Sequence, residues 1–211
     1  MQIETSVSVR EPYAHLLVSG LKKVENRSIP FPSRYKLPTW VAVHASQSLE
    51  EFSDVEHLAM IAGDNPPIAD AWGFDKPFPW EEYEGVPDHL LPRIFGRSEI
   101  IGAIEVVATV PFRMDSTVSE TFAGFPDMEN YEKFAVGEHC WIIGGSIRFK
   151  HPIVTLGHLG VRNMKSDVAA FVRETAKTLL TSPAEPYGRP VVHRLPSLPK
   201  RELLMYQADV E

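Results

Sequence analysis

The chain has 211 residues and a mass of 23.7 kDa, a size that suits one domain or two very small ones. Hydrophobic residues make up 44% and charged residues 23%, which is typical of a globular protein and not of a disordered one. Cys140 is the only cysteine, so an intrachain disulfide and a cysteine-based zinc cluster are excluded. Since no apolar run reaches the roughly 18 residues of a membrane span and the first residues do not resemble a signal peptide, we expect no membrane partner and a cytoplasmic protein.

The charge distribution limits the kind of nucleic-acid ligand. A formal net charge of −7 argues against a protein that coats long nucleic acid through many phosphate contacts. Residues 50–90 hold eleven acidic side chains against one lysine, whereas residues 148–211 hold ten basic and six acidic ones. If a polyanion binds, we expect it on the C-terminal side, where Arg148, Lys150, His151, His158 and Arg162 form a basic cluster in the sequence. The alternative is an acidic surface that serves only solubility.

The first half of the chain alternates short strands with helices. Polar–apolar alternation predicts the strands, and each predicted helix has an apolar stripe and a glycine at its end. In chain order, the patterns predict a strand at 6–9, a helix from Pro12 that stops at Gly20, strands at 23–27 and 39–45, and a helix from Ser48 to Gly63.

A proline-rich segment, residues 64–93, follows as an irregular insertion. A long loop of this kind is usually functional or a linker. Its aromatic residues either form a lid over a ligand or pin the loop to the domain, and they are Trp72, Phe74, Phe78, Trp80 and Tyr83.

The second half of the chain is predicted to be rich in strands. Apolar runs separated by glycines or a proline favour several short strands, and two further amphipathic segments favour helices. In chain order, these are a strand at 100–110, a helix at 128–136, strands at 141–143, 147–149 and 153–156, a helix at 166–180, and strand-like pieces at 191–193 and 203–208. Together the elements predict a small mixed-strand barrel with peripheral helices.

The most informative motif is the octapeptide from Gly20 to Arg27, which has the pattern G-x-K-x-x-E-x-R. On a strand, Glu25 and Arg27 point to the same face, so they either pair or converge on one ligand. Lys22 lies on the preceding turn, from which its long side chain can reach back toward them.

Two other features carry polar chemistry into apolar strands. Glu105 has apolar neighbours on both faces of its strand, so we expect a buried carboxylate that either meets a cation or has a raised pKa. The candidate cations are Lys22 and Arg27. His44 and Ser46 bring an imidazole and a hydroxyl to the end of another strand.

In these residues the chain resembles the ASCH domain, a member of the PUA-like β-barrel superfamily. The resemblance includes the G-x-K-x-x-E-x-R run and extends over residues 5–164, which gives a barrel domain at 1–164 with its insertion at 64–93. Residues 165–211 are expected to add a helix and tail packed on the same domain. The other matching segments are Ser8-Val9-Arg10-Glu11-Pro12-Tyr13-Ala14, Val43-His44-Ala45-Ser46, Ile101-Gly102-Ala103-Ile104, Pro152-Ile153 and Gly157-His158-Leu159-Gly160.

The resemblance implies an α+β fold and a module that binds RNA, a nucleotide or a modified nucleoside, with no metal or cofactor. The implied cleft is lined by the G-x-K-x-x-E-x-R segment, and its expected ligand-binding residues are Lys22, Glu25, Arg27, His44, Ser46 and Glu105.

Some small members of the family are amidohydrolases that deacetylate acetylcytidine, which gives an enzymatic alternative. Their catalytic set maps onto Lys22 and Glu105, but Glu25 stands where the family has a threonine. A carboxylate cannot serve as the hydroxyl nucleophile, so an enzyme of this kind would use Glu25 or Glu105 as a base toward water.

A third alternative is a protein-interaction adaptor that recruits its partner through the insertion. The acidic and aromatic character of residues 64–93 favours it, although no motif supports it.

Overall fold

The computed structural model describes residues 1–47, 53, 55–56, 59, 80–87, 90, 95–113, 115–181 and 193–194. Its strands are β1 (Thr5–Val9), β2 (Val24–Arg27), β3 (Thr39–Ala45), β4 (Glu99–Pro111), β5 (His139–Val154), β6 (Val161–Asn163) and β7 (His193–Arg194). Its helices are α1 (Tyr13–Val18), α2 (Trp80–Tyr83), α3 (Val118–Thr121), α4 (Met128–Phe134) and α5 (Ser166–Thr181).

The strands form one mixed sheet in the order β2-β5-β4-β3-β1-β6, with β7 paired to β5. Only β1 and β3 pair in parallel, and the other ladders are antiparallel. The sheet curls into a half-barrel with helices outside it, so the predicted α+β class with a mixed, barrel-like sheet is confirmed. Among the described ladders none joins β2 to β6, which leaves a seam between these two edge strands.

The inside of the curled sheet holds the main apolar cluster, which explains the alternation in β1 and β3. Val7 and Val9 of β1 and Val43 of β3 lie in this cluster with Phe31 and Trp141. Since successive strand residues point to opposite faces, Ser8 and His44 lie on the outer face. The valines are fully or almost fully buried, which is the main stabilising contribution of these strands.

The outer face is partly covered by α5, whose apolar stripe matches the predicted helix at 166–180. Val172 and Ala176 are fully buried against Ile100, Ile147 and Phe149 of the sheet. At one end, the sheet therefore has apolar contacts on both faces, with the interior cluster on one side and α5 on the other.

Two predictions about the elements are corrected. The strands predicted at 141–143, 147–149 and 153–156 form one continuous strand, β5, which ends at Val154. Gly144 and Gly145 lie at one register shift against β4 and Pro152 near another, and neither ends the ladder. The short strand β6 and the helix α3 were not predicted, since three residues and four residues give no readable period.

Several predictions fall on residues that the structure does not describe. The predicted helix at 48–63 and the insertion at 64–93 lie mostly outside the described residues, as do the segments predicted at 191–193 and 203–208. In the described part of the chain, no helix has the length and apolarity needed to cross a membrane.

Candidate functional site

The G-x-K-x-x-E-x-R segment folds as a helix end followed by a strand, and this brings Lys22 back toward β2. Gly20 has φ +74°, the left-handed conformation that a helix C-terminus favours for glycine. The Lys22 amide then donates to the Leu16 carbonyl of α1 at 3.0 Å. The glycine of the motif is therefore needed for the turn that places the lysine.

Three charged side chains of the motif form one ion-pair network. Lys22 Nζ donates to Glu25 Oε2 at 3.0 Å, and Arg27 Nη2 donates to Glu25 Oε1 at 2.8 Å. Lys22 and Glu25 are buried, with side chains 3% and 6% exposed, whereas Arg27 is 23% exposed. Each carboxylate oxygen thus accepts from a different cation, and the charges compensate one another in a low-dielectric setting.

Arg27 also bridges the seam of the barrel. Its Nη2 donates to the Ser8 carbonyl of β1 at 2.9 Å, although β1 and β2 lie near opposite ends of the sheet order. Its guanidinium lies 5.3 Å from the ring of Trp141, within cation–π range. The arginine therefore stands at the gap between the sheet edges, supported by a buried aromatic ring.

A cavity of about 660 Å³ opens at this point. Pockets that hold small ligands usually measure about 300–1,000 Å³. Four cationic side chains and one carboxylate line it, together with an aromatic ring from each of two helices. The lining residues are Ser8, Val9, Arg10, Tyr13, Lys22, Glu25, Asn26, Arg27, Ser46, Lys133, Phe134, Val136 and Leu159.

Asn26, between the two charged residues of the strand, fixes the opposite wall of the cavity. Its Nδ2 donates to the Phe134 carbonyl at 2.8 Å, and its Oδ1 accepts from the amides of Val136 and Gly137, each at 3.1 Å. This amide holds the end of α4 against β2, which keeps Phe134 and Val136 in the lining. We assign Asn26 a positioning role.

Four of the six predicted ligand-binding residues line the cavity, namely Lys22, Glu25, Arg27 and Ser46. Four further lining residues were not predicted as site residues, namely Arg10, Tyr13, Lys133 and Phe134. The first two lie in the opening segment of the family resemblance, which was the available signal. The two α4 residues carried none, since only tertiary packing brings that helix to β2.

Glu105 is placed differently from the prediction. It is half-buried on β4 beside Gly144, and it is not among the residues that line the cavity. Lys22 and Arg27 both contact Glu25, and the pairing of Glu105 with one of these cations stays a prediction.

His44 also lies away from the cavity lining, buried on the outer face of the sheet. Its Nε2 donates to the Thr155 carbonyl at 3.0 Å, which leaves Nδ1 of the neutral ring to accept from the Ser8 hydroxyl at 3.3 Å. Gly157 packs directly on the ring, where a Cβ would come within 2.3 Å of His44 Cε1. The imidazole anchors this segment to the sheet.

The burial of His44 gives a testable pH dependence. Desolvation lowers the pKa of this imidazole below its ordinary value of 6.5, and the charge of His158 acts in the same direction. The unfolded chain therefore binds the proton more readily, and the stabilisation present above about pH 6.5 is lost as the pH falls. We expect the free energy of unfolding, measured in urea at pH 7.5 and 5.5, to fall less in His44→Gln than in the parent protein, by about 1 kcal/mol. Equal pH dependence in the two proteins would contradict this.

In the described part of the chain, no group of three histidine, cysteine or carboxylate side chains could hold a metal ion. The one cysteine, Cys140, is buried, and burial raises the pKa of its thiol to about 11. A thiolate nucleophile at neutral pH is therefore not available from this residue.

Comparisons with known proteins give two related crystal structures. Both are of the ZmASCH protein from Zymomonas mobilis, one a serine-to-alanine variant and the other a tyrosine-to-phenylalanine variant. The first is 13% identical with a TM-score of 0.42, and the match covers 81% of this chain and 94% of that one. The second is 15% identical with a TM-score of 0.31, and the match covers 97% and 98%.

At such TM-scores these matches carry no inference about family, ligand, reaction or site residues. No protein-family model matches the chain, and neither does any curated protein.

Proposed function

We propose that the protein is an ASCH-type binding module that takes a nucleotide, a modified nucleoside or a short RNA in the cavity at the barrel seam. The observation that carries this proposal is the charge of the lining. Four cationic residues and one acidic residue, Glu25, line the cavity, although the net charge of the chain is −7. The cationic residues are Arg10, Lys22, Arg27 and Lys133. A cationic cavity on an acidic protein favours a small anionic ligand.

The aromatic side chains at the cavity support a ligand with a flat ring system. Tyr13 is 48% exposed, and its ring lies 5.6 Å from Lys22 Nζ. Phe134 lies on the opposite wall, with Lys133 Nζ 5.4 Å from its ring. A base can stack on either ring, and each stacked base contributes roughly 1–3 kcal/mol in single-stranded nucleic-acid complexes.

The network around Glu25 favours binding over hydrolysis. If Glu25 took a proton from water, it would lose the charge that compensates Lys22 and Arg27, one of which is buried. Glu105, the second carboxylate of the enzymatic alternative, lies outside the cavity lining. The preformed charges instead suit fixed recognition of polar groups on a ligand.

The test compares two lysines that are adjacent in the sequence but differ in their position relative to the cavity. Lys22 lines the cavity, whereas Lys23 pairs with Asp127 and lies outside the lining. In calorimetric titrations with cytidine 5′-monophosphate, we expect Lys22→Met to weaken binding by about 10- to 100-fold, the usual range for loss of a charged hydrogen bond, and Lys23→Met to bind like the parent.

Lys133→Ser serves as a second cavity variant. This lysine is exposed, so we expect its replacement by serine to leave the fold unchanged. We expect it to weaken binding by about 3-fold, as for an exposed charge. Absence of binding by cytidine 5′-monophosphate, cytidine and acetylcytidine to the parent protein would overturn the proposal. Release of acetate from acetylcytidine, abolished in Lys22→Met, would establish the hydrolase instead.

A further inference from the structure

One wall of the cavity continues directly onto the edge strand β6. Leu159 lines the cavity, and its carbonyl accepts from Arg162 Nε at 3.3 Å. Two residues further along the chain, the Val161 carbonyl accepts from Arg34 Nη2 at 3.0 Å. Two guanidinium groups thus lie beside the cavity, both attached to the segment that forms its rim.

An aromatic ring lies between these contacts and the barrel. The Arg34 guanidinium stands over the Tyr35 ring, 4.7 Å from its centre, and the Tyr35 hydroxyl donates to Asn163 Oδ1 at 3.0 Å. The ring also packs against Phe31 in the interior, so Tyr35 is a rigid support. We call Arg34, Tyr35 and Arg162 the β6 edge.

The arginines of the β6 edge keep donors available to a ligand. Each guanidinium has five N–H groups, and Arg34 and Arg162 each donate to one carbonyl among the described residues. Both side chains are exposed. The planar fork of arginine suits the oxygens of a phosphodiester, to which it can donate two parallel hydrogen bonds.

We propose that the β6 edge binds the sugar–phosphate backbone next to the nucleotide held in the cavity, so that the ligand is a single-stranded RNA segment and not a free nucleotide. This inference rests on the proposed function of the cavity. The open cavity of about 660 Å³ takes one nucleotide, and the adjacent guanidinium groups meet the next phosphates. Because two arginines of the described residues extend the site on an acidic protein, the footprint is a few nucleotides.

The basic cluster seen in the sequence is divided by the fold. Arg148, Lys150 and His151 lie on β5, and β4, β3 and β1 separate that strand from β6. His158 contacts the Ser6 hydroxyl at 2.9 Å on the outer face. Of that cluster, Arg162 belongs to the β6 edge. Exposed cations on other elements are therefore suitable controls for a general effect of positive charge on binding.

The experiment compares cytidine 5′-monophosphate with a cytidine tetraribonucleotide. The test variant is Arg34→Ser with Arg162→Ser, and the control is Lys150→Ser with Lys177→Ser, which removes the same charge from exposed positions on β5 and α5. We expect the tetranucleotide to bind the parent and the control at least about 10-fold more tightly than the mononucleotide. In the test variant this gain is lost, and the slope of log affinity against log salt for the tetranucleotide falls by about 1.4, as for two phosphate contacts on a single strand.

Mononucleotide binding separates the two proposals. If the mononucleotide binds all three proteins equally and the tetranucleotide gains nothing, the β6-edge inference is wrong while the proposed function stands. An equal loss of the tetranucleotide gain in test and control variants also overturns the inference, since general charge would then explain it. If the mononucleotide does not bind the parent, the proposed function itself fails.

Discussion

Glu25→Gln should destabilise the protein by about 3 kcal/mol, within the range for breaking a buried ion pair by removal of one partner. The change keeps the shape of the side chain but removes the charge that compensates Lys22, which is 3% exposed and 3.0 Å away. Because the Arg27 side chain is 23% exposed, solvent partly compensates its charge, and the loss of stability comes mainly from Lys22. The free energy of unfolding from urea denaturation measures the effect.

The double variant Lys22→Met with Glu25→Gln separates charge compensation from packing. Removing both charges leaves no uncompensated lysine, so we expect the double variant to lose less stability than the sum of the two single variants, by at least about 1 kcal/mol. Strict additivity would show that the two side chains do not interact in the folded protein, and the ion-pair description of the site would have to be abandoned.

Trp141→Ala should cost about 3–5 kcal/mol of stability, the usual range for truncating a large buried aromatic residue. Trp141 is 2% exposed and meets Phe31 edge-to-face, with 4.9 Å between ring centres. Its Nε1 also donates to the Ile29 carbonyl at 3.3 Å, which ties the segment after β2 to the interior. Thermal and urea unfolding would both report the loss.

The same residue supports the site, because Arg27 lies 5.3 Å from the indole ring. Trp141→Phe is the matched control, since it keeps an aromatic ring beneath the guanidinium while it loses the Nε1 donor and part of the buried ring volume. We expect it to cost about 1–2 kcal/mol and to keep most of the affinity for cytidine 5′-monophosphate. A cost of less than about 1 kcal/mol for Trp141→Ala would mean that this ring does not hold the seam.

The arrangement of the charged motif at the candidate site was predictable because its residues lie close together in the sequence. Gly20, Lys22, Glu25 and Arg27 lie within eight residues, and a helix end followed by a strand places them by local geometry alone. The amphipathic stripe of α5 and the alternation in β3 were readable for the same reason, since each repeats with the period of its element.

The place of His44 was not predictable in this way. His44 lies one residue before the end of β3, on the strand that leads to Ser46, but the pleat turns its ring to the outer face, where it contacts Thr155 and Ser8. The sequence also left open which carboxylate contacts Lys22 and Arg27, and in the fold Glu25 contacts both.

The sequence alone was enough to predict the α+β class and the mixed sheet, and it contains the charged motif and the acidic composition that favours a small ligand. The tertiary structure decided which charges pair, which helix closes the cavity and how the basic residues divide between β5 and β6. The physical reason is the range of each interaction. Periodicity and turn chemistry act between near neighbours, whereas α4 meets β2 through Asn26 across 108 positions of the chain.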